Sequence, residues 1–212
     1  MPNGHIQADP FRGLVEVIVS GDSATAISLL EASPRLAKAR AAEGATRQSP
    51  TQDFFDQIRH YMYSGDSALH MAAAAHQPLV VETLIAMGAD VRARNRRGAE
   101  PLHYAVDGGS GVPFWTPGAQ RMIIAMLIGA GADPNGADKS GVAPLHRAVR
   151  NRNAAAVGAL IDGGADPRAP NKSGSTPLLL ATQNTGASGS GSVEAKAQQD
   201  EILRLLKEHG AT

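Results

Sequence analysis

The chain has 212 residues, with 20 Lys and Arg against 20 Asp and Glu and hence a formal net charge of zero. That balance argues against generic nucleic-acid binding, which leans on an excess of basic residues. Cysteine is absent, which excludes disulfides and thiolate metal sites, and aromatics make up 4%, so the core must be built from Ala, Leu, Val and Ile in closely packed helices.

Residues 1–10 read as a tail. They carry no basic segment followed by an apolar run, and no window approaches the roughly 18 uninterrupted apolar residues of a membrane span. No membrane association and a cytoplasmic location are the expectations. Residues 11–40 read as a helical pair: Phe11, Leu14, Val15 and Ile18 follow helical spacing, Gly21-Asp22 makes a turn, and Ala26, Ile27, Leu29 and Leu30 mark a second helix. Residues 41–64 break the pattern. They begin polar and then concentrate Phe54, Phe55, Ile58, His60, Tyr61, Met62 and Tyr63, an aromatic-rich insertion expected to pack on the side of the array.

From residue 65 onward one unit repeats. It reads Ser67-Ala68-Leu69-His70, Glu100-Pro101-Leu102-His103, Ala143-Pro144-Leu145-His146 and Thr176-Pro177-Leu178-Leu179, with the leucines spaced by 33, 43 and 33 residues. Gly88-Ala89-Asp90, Gly131-Ala132-Asp133 and Gly164-Ala165-Asp166 keep the same beat, with a truncated Gly210-Ala211 at the end. The units span 65–97, 98–140, 141–173 and 174–212. The second carries an insertion at 108–117 and the fourth a Gly/Ser insertion at 186–192, both between predicted helices.

This pattern resembles the ankyrin repeat, in which helix-turn-helix units stack into a solenoid. The resemblance implies an all-α fold with short β-turns between repeats, residues 11–40 acting as a degenerate cap and 174–212 as the C-terminal cap. It also implies a concave surface, made of inter-repeat turn tips and inner-helix faces, that binds a partner protein. Carried over by motif, the tips are Arg96, Arg97, Lys139, Ser140, Lys172 and Ser173, a modest basic rim. Histidine at the motif position is implied to be structural. Repeats stack about 10 Å apart, too far for His70, His103 and His146 to share a metal whose ligands lie at about 2 Å.

On the predicted inner helices, Tyr104 and Asp107 lie three residues apart, as do Arg147 and Arg150 one repeat later and Leu180 and Gln183 in the last. Stacking is expected to set Tyr104 against Arg147 as a cation–π pair and Asp107 against Arg150 as an ion pair. The cluster is either an internal salt-bridge ladder or a polar pocket. Trp115, the one tryptophan, lies in the insertion as a buried plug or a displayed anchor. No seryl, cysteinyl or metal-assisted catalytic motif is present, and no cofactor is implied. The function expected is a protein-interaction module, acting as a monomer on a protein whose identity the sequence leaves open. Two alternatives are an enzyme or small-molecule binder built on Tyr104, Asp107, Trp115, Arg147, Arg150 and Gln183, with His60 or Tyr61 added, and a scaffolding or antitoxin-like subunit.

Overall fold

The computed structural model describes residues 9–46, 48, 51–108, 115–183 and 192–211. Most of the tail, residues 109–114 of the second repeat's insertion and residues 186–191 of the Gly/Ser insertion lie outside the described residues. Helices α1 (Pro10–Ser20), α3 (Ala68–Ala74), α5 (Pro101–Ala105), α7 (Pro144–Arg150) and α9 (Pro177–Thr182) form an inner row. Helices α2 (Ser23–Ala32), α4 (Pro78–Ala86), α6 (Pro117–Gly129), α8 (Ala154–Asp162) and α10 (Val193–Glu208) form an outer row. Each inner helix packs on the next inner helix, and each outer helix on the next outer one. The result is an all-α repeat solenoid with one continuous core running from Phe11 to Ala211.

The local chemistry explains the helix starts. Proline opens α5, α7 and α9, where its missing N–H is one the helix leaves unpaired anyway. The hydroxyls of Ser67, Thr116 and Thr176 accept the backbone N–H groups of His70, Ala119 and Leu179. At the far end of each outer helix, Asp90, Asp133 and Asp166 accept the N–H groups of Arg92, Asn135 and Arg168, at 2.9 Å in each case.

The inter-repeat turns are three copies of one structure. The Asn95, Asp138 and Asn171 side chains accept from Arg97, Ser140 and Ser173, and the chain then turns at Gly98, Gly141 and Gly174. Gly98 has φ +78° and sits so close to the next turn that a Cβ would meet Lys139 N at 2.9 Å, so only glycine fits both demands. The rim lysines tie these turns together: Lys139 Nζ donates to the Arg96 carbonyl at 2.7 Å and Lys172 Nζ to the Lys139 carbonyl at 2.6 Å.

The aromatic insertion folds as a small antiparallel hairpin, β1 (Phe54–Phe55) with β2 (His60–Tyr61), in the register Phe54–Tyr61 and Phe55–His60. Phe55, Ile58 and Met62 are buried in the common core. Arg12 of α1 pairs with Asp53 at 2.9 Å. On the opposite flank Arg96 and Arg97 stack on the Tyr63 ring at 5.3 and 5.0 Å. Among the described residues, no helix is long and apolar enough to cross a membrane.

Candidate functional site

Two of the motif histidines, His70 and His103, are joints between repeats. The Nδ1 atoms of His70 and His103 accept the backbone N–H groups of Ser67 and Glu100, both at 3.1 Å. Their Nε2 atoms face the Ala99 and Val142 carbonyls of the following repeat, at 3.1 and 3.0 Å. A ring that accepts at Nδ1 and donates at Nε2 is a neutral imidazole. Burial pushes His103 down to about 4, with the nearby Arg147 charge adding to it, and burial lowers His70 in the same way. Both nitrogens of each ring are therefore spent on the backbone.

Beside this column lies a half-open cavity of about 990 Å³. The hairpin residues His60 and Tyr61 wall one end, Asp107 and Arg147 lie along it, and Asn153 and Gln198 line it from the last two repeats. Five of the six residues expected to form a polar cluster line this one cavity: Tyr104, Asp107, Trp115, Arg147 and Arg150. The sixth, Gln183, does not. It is exposed just past α9, where the chain turns extended.

The pairing inside the cluster differs from the expected one. Asp107 bonds Arg147 Nη1 at 3.0 Å, Asn151 Nδ2 at 3.0 Å and His60 Nε2 at 3.1 Å. Arg150 is exposed and forms no ion pair among the described residues. The cause is local: α5 stops at Ala105, so Asp107 lies beyond the helix and the three-residue spacing no longer fixes its direction. Burial alone would raise the Asp107 carboxyl, but the Arg147 guanidinium and the His60 and Asn151 bonds outweigh it and hold it at about 2. Arg147 also reaches the His103 carbonyl at 3.3 Å and lies 3.7 Å from Asp138. The other His60 nitrogen faces the Tyr61 carbonyl at 2.8 Å.

Tyr104 is likewise placed otherwise than expected. No cation–π contact with Arg147 occurs among the described residues. The phenol is 1% exposed and packs between the His60 ring, at 4.3 Å, and the His70 ring, at 5.0 Å. Its hydroxyl donates to Asp66 Oδ2 at 2.8 Å. Burial, reinforced by the Asp66 charge and this bond, raises it well above the ordinary tyrosine range. Asp66 is fully buried and also accepts from Asn95 Nδ2 at 2.8 Å and from the Tyr63 backbone N–H at 2.6 Å. Sequence reasoning missed Asp66. The signal was available, because the other repeats carry Ala99, Val142 and Ser175 at this position.

Of the rim residues, Arg96 and Arg97 are engaged by the insertion, Arg96 through the Ala45 carbonyl and Arg97 through the Tyr63 hydroxyl at 2.9 Å. Trp115 is half-buried, and its indole N–H donates to Gln120 Oε1 at 3.1 Å. Gln120 is fully buried and joins the Ala105 carbonyl at 2.9 Å to Asn153 at 2.6 Å. Among the described residues, no three His, Asp or Glu side chains converge as a metal site would require.

The family model described as ankyrin repeats in three copies matches residues 118–212, and one described as ankyrin repeats in many copies matches residues 69–111. The chain belongs to the ankyrin-repeat family. Comparison with the curated proteins gives no match. Ankyrin repeats are generally protein–protein interaction modules. In this ankyrin array the cavity lies against the inner helices and the inter-repeat turns, and the hairpin narrows it at the N-terminal end.

Proposed function

We propose that the chain binds an extended segment of a partner protein in the groove formed by its inner helices, turn tips and aromatic hairpin. The observation that carries this reading is one continuous cavity of about 990 Å³ running from the hairpin at Tyr61 to Gln198 on the last helix. Such a trough suits a peptide segment that contacts several repeats in turn. Tyr61 and Trp115 supply aromatic surface, and the arginines supply directional donors, the side chains that carry most interface energy. Arg97, Lys139 and Lys172 lie along the rim, where charge chiefly sets the association rate.

The test is affinity capture from the native host followed by binding measurements on the purified partner. Ser140 is exposed and lines the cavity, so Ser140→Trp occludes the groove with little effect on the fold. Ser140→Trp and Trp115→Ala are each expected to weaken the partner by about 2 kcal/mol, roughly thirtyfold. Leu79→Ser, on the exposed outer face, should change nothing. Undiminished binding by both groove variants, with loss in the outer-face variant, refutes the proposal.

A small-molecule ligand is the second reading. The cavity is at the upper end of the size range of such sites, and it gathers the polar side chains named above. Against a catalytic role, the Asp107 carboxylate is already engaged by Arg147, Asn151 and His60 and is held ionised by the Arg147 guanidinium. A co-purifying metabolite in place of a protein would decide for this reading.

A further inference from the structure

Four buried residues among those described have side-chain polar atoms without a hydrogen-bond partner: His76, Glu100, His146 and Arg152. Three of them have ordinary explanations. Burial holds His76 neutral, down to about 4, and lowers His146 as well. Glu100 keeps a bond through its other oxygen, from Arg94 Nε at 2.9 Å. Arg152 stands apart. It is 8% exposed, both terminal guanidinium nitrogens lack a partner, and arginine cannot shed its charge by deprotonating. An uncompensated buried cation is among the costliest features a fold can hold.

Arg152 lines the groove together with Arg150, Asn151 and Asn153. Its left-handed backbone, at φ +53°, is shared by His76 at the equivalent position of the first full repeat. That conformation therefore belongs to the repeat, and only the bare guanidinium is particular to this site. Around the whole groove stand five arginines (Arg59, Arg97, Arg147, Arg150 and Arg152) against Asp107, Asp138 and Glu194. A chain of zero net charge thus gathers a surplus of two positive charges in one trough. Arg147 is spent on Asp107 and Asp138. Glu194 is exposed and pairs with no arginine among the described residues. The first turn of α10, with Ser192 as its cap, lines the groove as well, adding the partial positive charge of a helix N-terminus.

We propose that Arg152, assisted by Arg150, forms an anion subsite that takes a carboxylate on the partner's bound segment, so that the segment is acidic where it passes the third repeat. The inference rests on the peptide-binding reading above and adds the chemistry of the partner. A guanidinium accepts a carboxylate or a phosphate with two parallel bonds. The buried charge is that of Arg152 alone, since Arg150 is exposed, so a single carboxylate balances it.

The test is fluorescence anisotropy on the full chain with fluorescein-labelled hexaglutamate, its hexaglutamine counterpart and inorganic phosphate as competitor. Hexaglutamate is expected to bind, with hexaglutamine at least about tenfold weaker. R152Q should lose at least about tenfold for hexaglutamate, R150Q a few fold, and R168Q on a distant turn nothing. R152M, which keeps the apolar stem in place, guards against a folding artefact, and both Arg152 variants should melt no lower than the parent protein. Absence of hexaglutamate binding, or equal binding by R152Q and the parent, overturns the subsite. Equal binding of the neutral peptide also overturns it and leaves the groove reading standing. Displacement by millimolar phosphate reassigns the subsite to phosphate and overturns the carboxylate. Loss of a captured partner in Ser140→Trp but not in R152Q likewise keeps the groove and removes the subsite.

Discussion

The two ends of the groove treat buried polar atoms in opposite ways. At the hairpin end, Asp66, Asn95, Tyr104 and the Tyr63 backbone form a network in which each Asp66 oxygen has a donor, and Asp107 takes three bonds next to it. At the Arg150–Asn153 end, a buried guanidinium faces the same cavity with neither terminal nitrogen bonded. Desolvation costs both ends, but the first recovers the cost for its carboxylates and leaves unpaired only the neutral ring of His76, whereas the second leaves a full charge unpaired. The difference teaches which polar groups are scaffold and which are addressed to something outside the chain. A satisfied network fixes shape, and a bare donor is what the proposed subsite requires.

The sharpest way to break the comparison is at Asp66. Asp66→Ala leaves the Tyr104 hydroxyl and the Tyr63 N–H without their acceptor and leaves the Asn95 amide only the Tyr104 oxygen. Chemical denaturation should show a loss of about 3–5 kcal/mol. A loss under about 1 kcal/mol would mean that the hairpin end is no better satisfied than the other.

Acid probes the same end more gently. His76 and His103 are neutral in the fold and titrate near 4, while in the unfolded chain they bind protons near 6.5. Stability is therefore present above about pH 6.5 and declines as pH falls toward 4, by about 2 kcal/mol for each histidine at pH 5. Asp107 adds a separate loss of about 2 kcal/mol as pH falls from about 4 to 2. Denaturant midpoints at pH 7 and pH 5 measure the first window, and a flat profile would contradict the burial of these rings.

The smallest expected effect lies at the bare end. Arg152→Met should leave stability within about 0.5 kcal/mol of the parent or raise it by about 1, because removing an unpaired buried charge relieves a cost. A loss above about 2 kcal/mol would show that Arg152 is paired within the fold in solution.

The helices of the repeats were legible because leucine, proline and glycine recur in register, and each has a local reason to be where it is. The structural use of the motif histidines was legible for the same reason. Arg147 was legible as a member of the polar cluster from its place on the inner helix one repeat after Tyr104, and it lines the cavity. Its partner was misjudged because Asp107 lies past the end of α5, where helical geometry ceases to predict direction. Asp66 and Arg152 were missed for another reason. Their significance depends on whether a neighbour from another repeat, or from the hairpin, reaches them, and this is decided by the stacking and not by the local sequence. The aromatic insertion was expected on the side of the array, but its docking through Arg12, Arg96 and Arg97 joins residues far apart in the chain.

The depth of packing changes along the inner row. All seven residues of α3 are buried, whereas in α9 only Pro177 and Ala181 are. A stack of repeats holds together through its neighbours, so the array is anchored at the hairpin and opens most readily at its last helix pair. The α10 turn that lines the groove belongs to that loosest pair. A partner seated there would close the last repeat onto the third, and occupancy would be felt as a slowing of its breathing.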